Sequence, residues 1–206
     1  VAGISNTEDF EQMSRVITIV AKGPSAVHAQ KWIDARPGCD VAIINEAGLL
    51  LWKNQPIRFA FFCHAGFVKK MRPLWGRVDC FVSPSKLIGP EELPDDFPTH
   101  KRMRYAGSSC MAKNLRLRLR SGGVTHHHTV TAAMSWLAKI GYKRLRIIGT
   151  GGGGRGYAPG LAGKPKLPVD LSIWPRIERT LAGLLLELYG TKTEWYSASN
   201  HPRKSK

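Results

Sequence analysis

The stretch Arg15-Val16-Ile17-Thr18-Ile19-Val20-Ala21-Lys22-Gly23-Pro24-Ser25 sets the reading of the whole chain. From Arg15 to Lys22 it is β-branched and nearly all apolar, the pattern of a strand buried on both faces of a parallel sheet. Gly23-Pro24-Ser25 breaks that strand. Ala26 to Ala35 then carries a helical pattern that ends near Pro37-Gly38, with Ser25 placed to cap it. The unit recurs downstream: Asp40 to Asn45 (DVAIIN), Arg58 to Cys63 (RFAFFC), Val78 to Val82 (VDCFV), Arg144 to Gly149 and Lys192 to Tyr196 read as further strands. Helical spans lie around Val68 to Met71, Thr125 to Ile140 and Leu171 to Tyr189. Strands alternating with helices predict an α/β fold: a single Rossmann-like domain over residues 15–200, with a mostly parallel sheet and helices on both faces. Residues 1–14 read as a lead-in and residues 201–206 as a basic tail. In such a sheet ligands bind beyond the carboxyl ends of the strands. That rule singles out Gly23–Ser25, Asn45–Gly48, His64–Gly66, Ser83–Ser85 and Thr150–Tyr157, each of which follows a strand.

The densest chemistry lies between Leu115 and Tyr157. Leu115 to Arg120 (LRLRLR) alternates perfectly, so as a strand it sets leucines on one face and arginines on the other. Such a strand is either an edge protected by charge or a phosphate-facing ribbon, and both readings stand. The turn Ser121-Gly122-Gly123 precedes the best helix of the chain, on which Val130, Ala133, Met134, Leu137 and Ile140 share a face and Gly141 marks the end. Unpaired N–H groups and the macrodipole would make that turn either a phosphate cradle or a plain cap. The run from Gly149 to Gly156 matches G-x-G-x-x-G, but Tyr157-Ala158-Pro159-Gly160 follows where a dinucleotide site needs a helix, and no G-K-[ST] marks a P-loop. Arg155 and Tyr157 remain as side-chain donors there. His126, His127 and His128 are consecutive and point in different directions, so they cannot share one metal; one is expected to face the site as acid, base or donor. His64 is placed to reach the same crevice. Ile88 to His100, rich in proline and acid, reads as an exposed loop or short lid, followed by a basic cluster, Lys101 to Arg104.

The chain of 206 residues carries 31 Lys+Arg against 15 Asp+Glu, a net charge of +16. That surplus predicts a polyanionic partner, DNA among the candidates, and says nothing about fold. Lys101, Arg102, Arg116, Arg118 and Arg120 are the candidate nucleic-acid contacts. Cys39, Cys63, Cys80 and Cys110 are scattered without a C-x-x-C pair, which argues against a zinc ribbon and for a reducing, cytoplasmic setting. No apolar run approaches the ~20 residues of a membrane helix. With no D-x-D pair in the sequence, no metal and no obligatory cofactor are expected.

Taken in order, Val20-Ala21-Lys22-Gly23-Pro24-Ser25, Ile43-Ile44-Asn45, Ser121-Gly122-Gly123, Ala132-Ala133, Gly141-Tyr142-Lys143, Ile147-Ile148-Gly149 and Gly156-Tyr157-Ala158 resemble the bacterial sialyltransferases. They equally resemble the related MptE-like proteins (6-hydroxymethylpterin pyrophosphokinase-like). The resemblance implies a nucleotide-binding fold that transfers a group from an activated nucleotide, without an obligatory metal in the sialyltransferase case. It places the nucleotide and its phosphate on Gly23, Pro24, Ser25, Asn45, Ser121, Gly122 and Gly123, joined on our reading by Arg155, and the leaving phosphate on Tyr157. Three positions depart from the pattern. Lys22 stands where Asn often precedes G-P-S, Thr150 stands where Asp usually follows the last strand's glycine, and the downstream histidine base has no clear counterpart between Leu161 and Ser172. A base role for His64 or His126 comes from the residues here and not from the resemblance. The expectation is a glycosyltransferase with a nucleotide sugar as co-substrate and an acceptor hydroxyl, hydroxymethylated DNA being its sharpest version. An ATP-dependent diphosphokinase and a non-catalytic nucleic-acid-binding protein on a transferase fold are the alternatives.

Overall fold

The first strand forms where the sequence is most β-branched: β1, Val16–Val20, is buried along nearly its whole length. In the computed structural model, residues 15–85, 88–108, 114–121, 123–125, 128–150, 158–161 and 173–196 are described. The strands after β1 are β2 (Asp40–Ile44), β3 (Ile57–Phe61), β4 (Val78–Pro84), β5 (Arg102–Tyr105), the short β6 (Gly107–Ser108) and β7 (Val124–Thr125), β8 (Arg144–Ile148) and β9 (Lys192–Trp195). The helices are α1 (Ala29–Asp34), α2 (Gly66–Lys70), α3 (Leu115–Arg120), α4 (Thr129–Lys139) and α5 (Ile173–Tyr189). The main sheet has seven strands in the order β5-β4-β3-β2-β1-β8-β9, and each pairing in it is parallel. The expected Rossmann-like α/β domain is what the chain forms.

One apolar cluster fills each face of the sheet. On one, Ile17, Ile19, Phe59, Phe61 and Leu145 pack against Trp136, Leu137 and Met134 of α4 and Leu181 and Leu185 of α5. On the other, Val20, Ile43, Ala60 and Phe81 pack against Trp32 of α1 and Val68 of α2. Arg146 on β8 is fully buried among these layers. Its guanidinium lies 4.1 Å from the centre of the Trp32 ring and donates to the Trp32 carbonyl at 3.1 Å. Burial pushes its pKa down.

Several expectations need correction. Leu115–Arg120 is a helix, not a strand. Leu115 and Leu119, one turn apart, are each 1% exposed while Leu117 is 73% exposed, so the helical i, i+4 spacing and not the alternation matches the core. Tyr189 Oη donates to the Leu119 carbonyl at 2.8 Å and anchors the turn to α5. The helix expected from Thr125 begins at Thr129, because Val124 and Thr125 pair with Gly107 and Ser108 instead. Ser121 therefore ends α3 and does not begin α4. The segment Ile88 to His100 is not an exposed lid: Ile88, Leu93 and Phe97 are buried in the second cluster, with Phe97 edge-on to Trp75 and Phe62. The basic cluster Lys101–Arg104 includes an unforeseen edge strand, β5, beside β4.

Candidate active site

The chain steps from β1 outward to β5 and then returns to the other flank of β1 with β8. The winding reverses between β1 and β8, and in open α/β sheets the crevice at the carboxyl edge of such a pair is the ligand site. Here the two loops leaving that edge are stitched together. Ala21 N–H donates to the Ile148 carbonyl at 2.8 Å, Gly23 N–H to the Gly149 carbonyl at 2.7 Å, and Ala158 N–H to the Lys22 carbonyl at 2.7 Å. Gly149 has φ +85, and a Cβ there would lie 2.3 Å from the Ala21 carbonyl oxygen. A Cβ on Gly23 would lie 2.5 Å from the Gly149 carbonyl oxygen. Only glycine permits this approach at either position.

Ser25 does not cap the following helix. It lies inside the 3-10 turn Pro24–His28, and its Oγ accepts the Gly149 N–H at 3.1 Å. The Gly23 amide and the Ser25 hydroxyl oxygen thus hold the two loops in place, while Pro24 has no N–H to offer. The expected backbone phosphate cradle is committed to building the crevice.

The polar groups at this edge come from the strands beside β1. Lys22 and Glu46, just past β1 and β2, form a buried ion pair, Nζ to Oε1 at 3.0 Å, with side chains 6% and 2% exposed. Burial lowers the Lys22 pKa, and the bond and charge of Glu46 oppose that shift. Lys22 Nζ also lies 4.6 Å from the centre of the Phe67 ring. Asn45 occupies the left-handed region with φ 53, a conformation asparagine tolerates better than most residues. Asn45 Oδ1 and Glu46 Oε2 are buried and have no hydrogen-bond partner among the described residues. His64, past β3, is exposed and its ring centre is 6.2 Å from that of Phe67. Phe67 therefore bridges the Lys22–Glu46 pair and His64. Cys63 beside it is buried, with Sγ 3.8 Å from Tyr105 Oη; burial pushes its thiol pKa up, against hydrogen bonds from Thr129 and Tyr105. An inert thiol results. The Thr129 contact brings the start of α4 to the end of β3.

His128 ends up at the N-cap of α4, its Nε2 3.3 Å from Glu178 Oε1 of α5. Burial raises Glu178 to about 7, opposed by a hydrogen bond from Trp195. His126, Gly122, Arg155 and Tyr157 lie outside the described residues, as does His127. Gly123 follows α3, with a Cβ position that the Arg118 side chain already occupies. The candidate nucleic-acid contacts do not form a ribbon. Arg116 is held by Glu187 at 2.5 and 2.7 Å, and Arg118 donates to the Ala106 carbonyl at 3.3 Å. Lys101 donates to the Val78 carbonyl at 3.0 Å, and Arg102 to Ser83 Oγ and the Ile88 carbonyl, each at 2.9 Å. Arg120 is exposed at the end of α3. The residues missed in the sequence are Lys22 as a charge, Glu46 and Glu178; no local pattern marks a pair joined across 24 positions.

A cavity of about 450 Å³ lined by Arg15, Val16, Gly38, Asp40 and Arg58 opens at the opposite, amino edge of the sheet. Asp40 there accepts the Tyr142 hydroxyl. Its position argues against it as the reaction site, since the loops that vary in such folds leave the other edge. Among the described residues no cluster of three or more His, Cys, Asp or Glu side chains could hold a metal ion, and no helix is long and apolar enough to cross a membrane.

The same architecture occurs in solved bacterial sialyltransferases. An alpha-2,3-sialyltransferase from Campylobacter jejuni in apo form is 15% identical, with 96% of this chain matching 80% of that one at a TM-score of 0.51. A Campylobacter jejuni sialyltransferase in complex with a substrate analogue, cytidine-5'-monophosphate, is 14% identical, with 89% of this chain matching 79% of that one at a TM-score of 0.54. No family model matches the chain and no curated protein does. The likeness is one of fold.

Proposed function

We propose that this chain is a glycosyltransferase that moves a sugar from a nucleotide-activated donor to an acceptor hydroxyl. The observation that carries the proposal is the crevice between β1 and β8, whose loops are locked by Gly23 and Gly149 and flanked by polar groups of Lys22, Asn45 and Glu46. The shared fold supports it, since one neighbour of that fold is in complex with cytidine-5'-monophosphate. The donor lies along the carboxyl edge from Asn45 to Gly149, with Ser121, Gly122, Gly123 and Arg155 retained from the sequence as further donor contacts. Tyr157 hydrogen-bonds the departing phosphate, so that charge building there is stabilised. His64 takes the proton of the acceptor hydroxyl. Its exposure beside Phe67 supports that role over His128, which is engaged with Glu178. The net charge of +16 supports a polyanionic acceptor, and hydroxymethylated DNA with its base flipped from the duplex is the version to test.

A thermal-shift panel of nucleotides and nucleotide sugars, with and without Mg²⁺, measures the first step directly. Stabilisation by a nucleotide sugar without Mg²⁺ is expected. Stabilisation by ATP only with Mg²⁺ would instead support diphosphate transfer, and salt-sensitive DNA binding with no nucleotide response would support a non-catalytic binder.

A further inference from the structure

Glu46 is 1% exposed and Asn45 5% exposed. One oxygen of Glu46 is taken by Lys22 at 3.0 Å. The other, together with Asn45 Oδ1, is buried without a donor among the described residues. Buried acceptors in folded proteins are almost always satisfied, because removing one from water without a replacement costs about 1–3 kcal/mol, and more for a charged group. Two unfilled acceptors on adjacent residues, at the edge where the fold admits a ligand, are therefore a feature the ligand completes.

We propose that Glu46, held in place by Lys22, is a specificity-determining residue that reads hydroxyl groups on the nucleotide-linked substrate. The inference rests on the transfer function proposed above and names what its donor must present. A carboxylate oxygen and an amide oxygen accept hydrogen bonds and donate none. A hydroxyl fits them; a phosphate or a carboxylate would set an anion against an anion. Lys22 does not relieve that clash, because its ammonium already faces Oε1. Its part is positional: it fixes the carboxylate across the gap between β1 and β2 and leaves Oε2 as the free acceptor. The subsite thus takes a neutral, hydroxyl-bearing part of the donor, and an acidic sugar is disfavoured there. Such hydroxyls occur on the ribose and on the transferred sugar, and two arms of one experiment separate them.

Isothermal titration would compare wild type, Glu46→Gln and the double variant Lys22→Met with Glu46→Leu. The Gln variant keeps the shape, and the double variant removes the pair without stranding a buried charge. The ribose arm uses the four nucleoside monophosphates against their 2',3'-dideoxy counterparts. The sugar arm uses uridine diphosphate glucose against uridine diphosphate 2-deoxyglucose. Wild type is expected to prefer the hydroxylated member of one arm by roughly tenfold to a hundredfold, the worth of a hydrogen bond to a charged group. In either variant, shown folded by circular dichroism, that preference should fall to within about threefold if the bond to Glu46 supplies it. Equal affinity within both arms for wild type, or a preference that survives in a folded variant, overturns the assignment. Failure of every nucleotide and nucleotide sugar to bind wild type overturns the transfer function itself, an outcome distinct from binding without discrimination.

Discussion

Replacing Glu178 by Gln is expected to stabilise the protein, and to do so more as the pH rises. Burial lifts this carboxyl from an ordinary 4.5 to about 7, so between those values the unfolded chain has released a proton that the folded chain retains. Stability falls across that window, because the folded state binds more protons than the unfolded state. At about 1.4 kcal/mol for each tenfold change in proton affinity, the full difference is about 3 kcal/mol. It amounts to about 1 kcal/mol at pH 5 and about 3 kcal/mol at pH 8. His128, 3.3 Å from the carboxylate, softens the lower part of the window while it carries a proton, and the Trp195 bond is one a Gln oxygen can also accept. Urea unfolding of wild type and Glu178→Gln at both pH values, with m compared, gives the difference directly. An advantage of the variant that is the same at pH 5 and pH 8 would refute the buried-carboxyl account, and so would a loss of stability at pH 8.

Other expectations are quicker to state. Leu119→Ala should cost about 2–5 kcal/mol and Leu117→Ala almost nothing, because one is buried and the other exposed; equal costs in chemical denaturation would restore the strand reading of LRLRLR. Gly149→Ala should cost roughly 3 kcal/mol through strain at φ +85 and collision with the Ala21 carbonyl, and a variant with wild-type Tm would contradict that. Arg116→Ala should change stability by less than about 1 kcal/mol, since its pair with Glu187 is half exposed. If DNA binding is nonetheless lost in a gel-shift assay, the arginines of α3 act in binding despite being dispersed.

The sheet was legible because burial on both faces leaves a direct mark: VITIV, DVAII and RFAF are runs that only a covered strand tolerates. The strand β5 was not, since Arg102-Met103-Arg104-Tyr105 at an edge buries little besides Tyr105 and reads as charge. LRLRLR misled for a different reason. Its alternation fits a strand, yet six residues with two leucines one turn apart satisfy a helix packed on α5 equally well, and tertiary contacts decided between them. At the site, Gly23, Asn45 and His64 were legible as loop residues following strands. The Lys22–Glu46 and His128–Glu178 pairs were not, because each joins distant segments and depends on burial that only the fold creates. Ser121 was misplaced along with the helix it was expected to begin.

The central claim is that the crevice between β1 and β8 binds a nucleotide sugar. Hydrogen–deuterium exchange with and without a saturating nucleotide sugar identified by thermal shift tests it most directly. Slowed exchange is expected in peptides covering Ala21–Ala26, Asn45–Gly48 and Ile148–Thr150, with none at the cavity of Arg15, Gly38 and Arg58 at the opposite edge. Protection confined to that opposite edge, or no protection at all under saturation, would contradict the account.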